Sequence, residues 1–505
     1  MHRMTLGEML ARTADQWGDR EAIVWQHVRL RYREYDARVS QFAHALRRLG
    51  IGSGDKVAVL LPNCPQFPTA YFGAARIGAT VVPVSAVLGV EEVEHVLTDS
   101  GARALVTMTL FDQLVGAARG QCPDLERLIV SGPSELDGAL RFEDLCQREP
   151  TTPPDADVSP DDVAVLIYTS GTTGRPKGAM LSHHNLVSNA GACREAIDVH
   201  HNDNFLTVLP LFHSFGATVC MVLPALIGAC STLLSKFVPL DVMRAMEQER
   251  CTLLAGVPSM YAVMLRAKTG RQYDLSSLRM AVTGGAPMPA EVMAAFSRRH
   301  GVVMLEGYGP TEASPVVSVN PFHGVRKPCS VGPPLPGVRV RVVDPEGRDL
   351  PPDEVGEILV AGDNIMLGYY RMPAETAATI RDGWLHTGDL GCLDEDGYLY
   401  IVDRMKDMII VGGMNVYPRE VEDVLQSHPA VLEAAIVGVP NNLRGEDVVA
   451  YVTLIEDRDV APHDLLELCG RRLARFKVPR RIEIRKEMPR SMTGQVLKRE
   501  LRQQA

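Results

Sequence analysis

The run Tyr168-Thr-Ser-Gly-Thr-Thr-Gly-Arg-Pro-Lys-Gly178 gathers hydroxyls, glycines and a lysine into one short stretch suited to holding phosphate. Thr169, Ser170, Thr172, Thr173 and Lys177 offer donors and positive charge, while Gly171, Gly174 and Gly178 permit sharp turns and close backbone approach. It is not a Walker loop, because Pro176 stands where that pattern needs its second glycine. Val163-Ala-Val-Leu-Ile-Tyr168 reads as a buried strand, so the loop is expected to begin where a parallel strand ends, a usual place for a nucleotide. A solvated Gly/Ser/Thr linker has the same composition. Its position after a buried strand argues against that reading.

Five more segments stand out in order along the chain: Leu209-Pro-Leu-Phe-His-Ser-Phe-Gly216, Gly284-Gly-Ala-Pro-Met288, Gly307-Tyr-Gly-Pro-Thr-Glu312, His386-Thr-Gly-Asp389 and Asp403-Arg-Met-Lys-Asp407. With these the chain resembles the acyl-CoA synthetases of the adenylate-forming superfamily, which also includes firefly luciferase and the adenylation domains of peptide synthetases. No large insertion interrupts the order from Met1 to Ala505. The resemblance implies an α/β fold with a large N-terminal domain of layered α/β subdomains plus a β-rich subdomain, and a small mobile α+β C-terminal domain. The boundaries so implied are 1–403, a hinge at 404–406, and 407–505.

The implied reaction is attack by a carboxylate on the α-phosphate of ATP, then attack by the CoA thiol on the acyl-adenylate, releasing AMP. Such chemistry rests on positioning and charge neutralisation. The resemblance assigns Thr169, Ser170, Gly171, Thr172, Thr173, Gly174 and Lys177 to the β- and γ-phosphates, Thr311 to the α-phosphate and Glu312 to Mg2+. A carboxylate suits a hard cation; alone, a Thr-Glu pair is an ordinary helix start. Gly285, Ala286 and Pro287 would lie against adenine with Tyr308 stacked on the ring and Gly309 beside it, while Asp389 and Arg404 would bind the ribose. Phe212, His213, Phe215, Ala217, Met221, Gly284 and Gly309 would line the acyl site, His213 bordering the carboxylate. A lone histidine in an apolar run is otherwise a core residue. Lys406 falls at the hinge, and Gly412, Gly413 and Asn415 would face the pantetheine arm of CoA. The apolar neighbours favour a medium- or long-chain fatty acid, with an aryl acid the nearest alternative.

One position departs from the pattern. Relatives usually carry a catalytic lysine after a Thr-Gly pair near the C-terminus, and this chain reads Ser491-Met-Thr-Gly-Gln495. Gln495 can donate a hydrogen bond but carries no charge, so adenylation is the threatened step. Three explanations stand side by side: a deliberate substitution resembling acetyl-lysine, a natural variant assisted by Lys498, or a protein without turnover. The competing functions are an acyl-AMP ligase that loads a carrier protein and a non-catalytic nucleotide or acyl-CoA sensor; a luciferase lacks any identifiable luciferin site.

Composition narrows the partners. The net charge of −10 favours neither nucleic acid nor an anionic membrane. Arg471-Arg-Leu-Ala-Arg-Phe-Lys477 and Arg480-Arg481 make the C-terminal part the cationic end, which suits CoA or a solvated helix face alike. Ten cysteines without close repeated spacing indicate neither zinc nor a disulfide framework and fit a reducing cytoplasm. The start lacks the apolar core of a signal peptide. Residues 205–235 contain no Asp, Glu, Lys or Arg, but Pro210, His213, Gly216, Pro224 and Gly228 interrupt them, so a buried strand, turn and helix is expected rather than a membrane span. Peripheral membrane contact and a homodimer stay compatible with the sequence.

Elements that position these residues follow from hydrophobic patterning. A helix is expected over Glu34 to Leu49, and apolar runs such as Lys56-Val-Ala-Val-Leu-Leu61 and Met280-Ala-Val-Thr283 alternate with helical stretches, predicting parallel strands in layers. From Val331 to Val360 short alternating strands predict a β-rich subdomain. Beyond Arg404–Lys406, helices near Pro418 to Gln426 and His463 to Leu473 predict a compact tail.

Overall fold

Short valine- and alanine-rich runs buried on both faces build the two main sheets, as the continuous apolar patterning requires. The computed structural model describes residues 3–169, 176–268, 270–441, 444–490 and 496–504. Ser170, Gly171, Thr172, Thr173, Gly174 and Gln495 lie outside the described residues. The chain forms two units, Met1–Arg339 with Val360–Leu385, and Val340–Leu359 with His386–Ala505. The stretch 404–406 falls within the second.

Among the described residues, the first unit holds two eight-stranded sheets. One runs in the order Gly368–Tyr369, Lys177–Ser182, Val163–Thr169, Thr80–Pro83, Lys56–Val59, Ala102–Met108, Arg127–Ser131, Ala139–Arg141. The strand Val163–Thr169 is parallel to Thr80–Pro83, as its sequence predicts, but its other neighbour Lys177–Ser182 is antiparallel. Val163–Thr169 and Lys177–Ser182 thus form an antiparallel pair, and Lys177 opens the returning strand instead of lying in the loop. The other sheet runs Ser318–Val319, Val303–Tyr308, Met280–Thr283, Leu253–Gly256, Asn204–Thr207, Cys230–Leu233, Glu21–Trp25, Val28–Arg31, parallel except at its edges. The expected helix at Glu34 is Tyr32–Arg48, whose Tyr35, Val39, Phe42 and Leu46 are buried at helical spacing.

The uncharged stretch forms the strand Asn204–Thr207, then one helical run in three parts, Ser214–Ala217, a π turn Thr218–Val222 and Leu223–Ile227, then the strand Cys230–Leu233. The Cys220 carbonyl inside the π turn accepts hydroxyls of Thr207 at 3.2 Å and Ser231 at 3.1 Å. Among the described residues no helix is long and apolar enough to cross a membrane.

In the second unit Met414–Val416, Ile409–Val411, Gly445–Leu454 and Val431–Asn441 form an antiparallel sheet, which Arg481–Arg485 joins in parallel to Gly445–Leu454. Helices Pro418–Gln426 and Pro462–Arg472, within a residue of expectation, bury Val421, Leu425, Leu465 and Cys469 against Ile436 and Val452. The antiparallel pair Trp384–Leu393 and Leu399–Arg404 precedes them.

Candidate active site

The hairpin strands pair as far as Thr169↔Lys177, where the Thr169 hydroxyl donates to the Lys177 carbonyl at 3.4 Å. Tyr168 is fixed just before it: its hydroxyl donates to Asp99 at 2.5 Å, and burial followed by that hydrogen bond pushes the phenol's pKa up. The ammonium of Lys177 lies 5.3 Å from the ring centroid of Tyr369. The Tyr369 hydroxyl donates in turn to Oε1 of Glu312 at 2.8 Å.

Thr311 and Glu312 sit on the short 3₁₀ turn Thr311–Ala313, too brief to hold itself, so neighbours lace it down. The Glu312 carbonyl accepts from the Met366 N–H at 2.8 Å and the Ala313 carbonyl from the buried Asn364 side chain at 2.9 Å. Buried Asn189 clamps the backbone of Val316 from both sides, donating to its carbonyl at 2.7 Å and accepting from its N–H at 3.1 Å. The Thr311 hydroxyl lies 2.9 Å from that of Ser214. This contact joins the turn Thr311–Ala313 to the next segment.

His213 precedes Ser214 and caps the helix Ser214–Ala217, its Nδ1 accepting from the Phe215 N–H at 3.2 Å. Burial lowers its pKa to about 4, so the ring is neutral near pH 7 with its proton on Nε2. Phe215 packs on the glycine loop: a Cβ at Gly284 would stand 3.5 Å from its ring and 3.2 Å from the Gly307 carbonyl. Gly285 has φ +77°, a left-handed conformation that L side chains rarely adopt. Buried Glu306 accepts from the Met288 N–H at 2.9 Å and so ties the loop carrying Ala286 and Pro287 to the strand that ends at Tyr308. Tyr308 and Gly309 follow directly, and a Cβ at Gly309 would meet the Pro315 carbonyl oxygen at 1.7 Å. Phe212 lies one residue before His213, and Ala217 is buried at the end of the capped turn. Met221, by contrast, borders a small cavity with Tyr32, Tyr35 and Ala225.

In the second unit Asp389 is 7 % exposed and pairs across the sheet with Arg404, whose Nε is 3.3 Å from Oδ1. Lys406 lies on the next turn, Met405–Asp407. Gly412 and Gly413 form the tip of the hairpin Ile409–Val411/Met414–Val416, with Asn415 opposite Ile410. Lys498, the sequence's candidate to stand in for a lysine at 495, donates instead to Glu422 at 2.8 Å. Burial opposes its charge, but Glu422, Asp403 and Asp407 outweigh that and raise its pKa. Its charge is already engaged.

The site therefore gathers Thr169, Lys177, Glu312, Thr311, Ser214, His213, Phe215 and Gly284 through successive contacts within the first unit. Sequence reasoning missed Tyr369, Glu306, Asn189 and Asn364, which act through partners distant in the chain. Only Glu306, a lone carboxylate in the apolar run Val302-Val-Met-Leu-Glu306, left a visible signal.

The model of AMP-binding enzymes matches residues 10–370, and that of the AMP-binding enzyme C-terminal domain matches 420–495. A feruloyl-CoA synthase of Amycolatopsis sp is 40% identical over 504 residues, 99% of each chain. A long-chain-fatty-acid–CoA ligase of Bacillus subtilis is 36% identical, covering 98% of this chain and 94% of its own. The crystal structure of an anthranilate CoA ligase with anthranoyl-AMP superposes with a TM-score of 0.93 at 30% identity, covering 99% of this chain and 97% of its own. Such ligases use ATP, Mg2+ and CoA. The chain belongs to the AMP-binding enzyme family, among its adenylate-forming acid–CoA ligases.

Proposed function

We propose that this ligase activates an apolar carboxylic acid with ATP and transfers the acyl group to CoA, with medium- or long-chain fatty acids as the preferred class. The observation carrying this reading is the unbroken line of contacts from Lys177 through Tyr369 and Glu312 to Thr311, Ser214 and Phe215. Charged and hydroxyl groups lie at one end and apolar residues at the other, as an acid joined to a triphosphate requires. Among the described residues the second carboxylate oxygen of Glu312 has no hydrogen-bond partner, and a single carboxylate beside phosphates fits Mg2+. The ion would neutralise phosphate charge.

In this reading Lys177 binds the outer phosphates and Thr311 donates to the α-phosphate. Neutral His213, with its Nε2 proton, donates beside the acid's carboxylate. Gly285, Ala286 and Tyr308 receive adenine, and Asp389 with Arg404 receives the ribose. Lys406 serves as the hinge between 1–403 and 407–505, and Gly412, Gly413 and Asn415 receive pantetheine in the second step. The Phe215 ring against Gly284 is a flat apolar wall, which favours a planar aryl acid as the second reading.

A carboxylic-acid panel with ATP, Mg2+ and CoA, run on the wild type and on Gln495→Lys, tests both. Formation of AMP and thioester with apolar acids is expected, and the added ammonium should raise acid-dependent ATP–pyrophosphate exchange by about 10²–10³. Adenylate accumulation indifferent to CoA would overturn the ligase reading. An unchanged exchange rate in Gln495→Lys would refute an adenylation defect at this position.

A further inference from the structure

Tyr369 belongs to the two-residue strand Gly368–Tyr369, paired antiparallel with Lys177–Ser182 in the register Tyr369↔Ala179. Flanking backbone bonds lock that register, Leu367 N–H to the Met180 carbonyl at 2.9 Å and Tyr370 N–H to the Gly178 carbonyl at 2.8 Å. Its own N–H donates to the Thr376 hydroxyl at 2.8 Å. The ring is therefore placed by the same sheet that places Lys177. Its hydroxyl reaches the opposite charge, Oε1 of Glu312.

Among the described residues neither Lys177 nor Glu312 forms an ion pair. A direct bond between them would cancel both charges and would have to break before a phosphate and its metal could enter. A tyrosine between the two answers each with a different part of itself: the π face attracts the ammonium, and the hydroxyl orients the carboxylate while keeping one oxygen for a cation. Neither attraction neutralises a charge. Both groups stay available and already aimed.

We propose that Tyr369 is a positioning residue for the metal–triphosphate end of the site, holding Glu312 through its hydroxyl and Lys177 through its ring. The inference rests on the ATP-dependent reading above and adds a role for a residue outside the motif set. Tyr369→Phe keeps the ring and removes the hydroxyl; Tyr369→Leu removes both.

Calorimetric titration with the non-hydrolysable analogue α,β-methylene-ATP, in Mg2+ and separately in EDTA, distinguishes the two parts. Tyr369→Phe should bind the analogue about tenfold more weakly in Mg2+ and unchanged in EDTA. Tyr369→Leu should lose affinity in both. In a Glu312→Gln background the Tyr369→Phe effect should vanish, whereas a purely structural loss would persist. Equal affinities of wild type and Tyr369→Phe in Mg2+, equal losses in Mg2+ and EDTA, or a loss that survives in Glu312→Gln would overturn the inference. Should the wild type bind the analogue under neither condition, the ATP reading itself fails.

Discussion

Gly309 lacks a side chain because none fits: besides the Pro315 carbonyl, an added Cβ would stand 2.9 Å from the Val317 nitrogen. Neither neighbour is a flexible side-chain end, so Gly309→Ala must shift the backbone that leads into Thr311. We expect a fall of about tenfold or more in acid-dependent ATP–pyrophosphate exchange with the fold retained, since a displacement near 1 Å at a reacting group has that order of effect. Circular dichroism checks the fold and exchange assays the rate; activity equal to wild type would contradict the steric argument. Thr311, Glu312, Gly284 and Gly309 could be singled out from the sequence because each stands in a contiguous motif. Tyr369 and Asn189 were not, because hydrogen bonds to Glu312 and Val316 join residues 57 and 127 positions away and leave no local pattern.

At the scale of elements, the final helix Lys498–Gln503 is anchored by the Lys498–Glu422 pair to the helix Pro418–Gln426. Arg502 also approaches Asp407 at 3.4 Å. Removing one partner of a mostly buried pair strands the other charge, at a cost of roughly 3–5 kcal/mol. Lys498→Met should therefore lower the melting temperature of the protein, and Lys498→Met with Glu422→Leu should recover much of the loss. If the double variant melts no higher than the single one, the pair is not what anchors the helix. Strand and helix positions were legible to within a residue or two from hydrophobic period. The direction of Lys177–Ser182 was not, since a Gly-rich turn after a strand serves a crossover or a hairpin equally well.

For the whole molecule, acid sensitivity follows from what burial does to histidine. His183 is fully buried, its Nδ1 accepts from the Leu6 N–H at 3.2 Å, and it thereby binds the N-terminal helix Leu6–Trp17 to the helix His183–Ile197. Burial lowers its pKa to about 4, against weaker opposing pulls from Asp162 and Glu8. Between pH 6.5 and 4 the unfolded chain binds the extra proton and the folded chain does not, so stability falls as pH drops through that window, by up to roughly 3 kcal/mol. Thermal melts from pH 7.5 to 4.5 should show this slope, reduced in His183→Asn; identical slopes would remove His183 as a cause. The α/β layering and the compact tail were legible from composition and alternation. The grouping of Val340–Leu359 with the C-terminal residues was not, because it depends on contacts that local patterning does not encode. The π turn Thr218–Val222 lies between two anchors of one helical run, His213 capping its start and Tyr32 donating to the Pro224 carbonyl at 2.8 Å in its last part. Each residue of helix advances the azimuth by about 100°. Deleting one residue there would thus leave both anchors chemically intact while rotating the stretch that follows His213 by more than a quarter turn against the stretch that Tyr32 holds, so that a one-residue gap re-aims every side chain on one half of the rod.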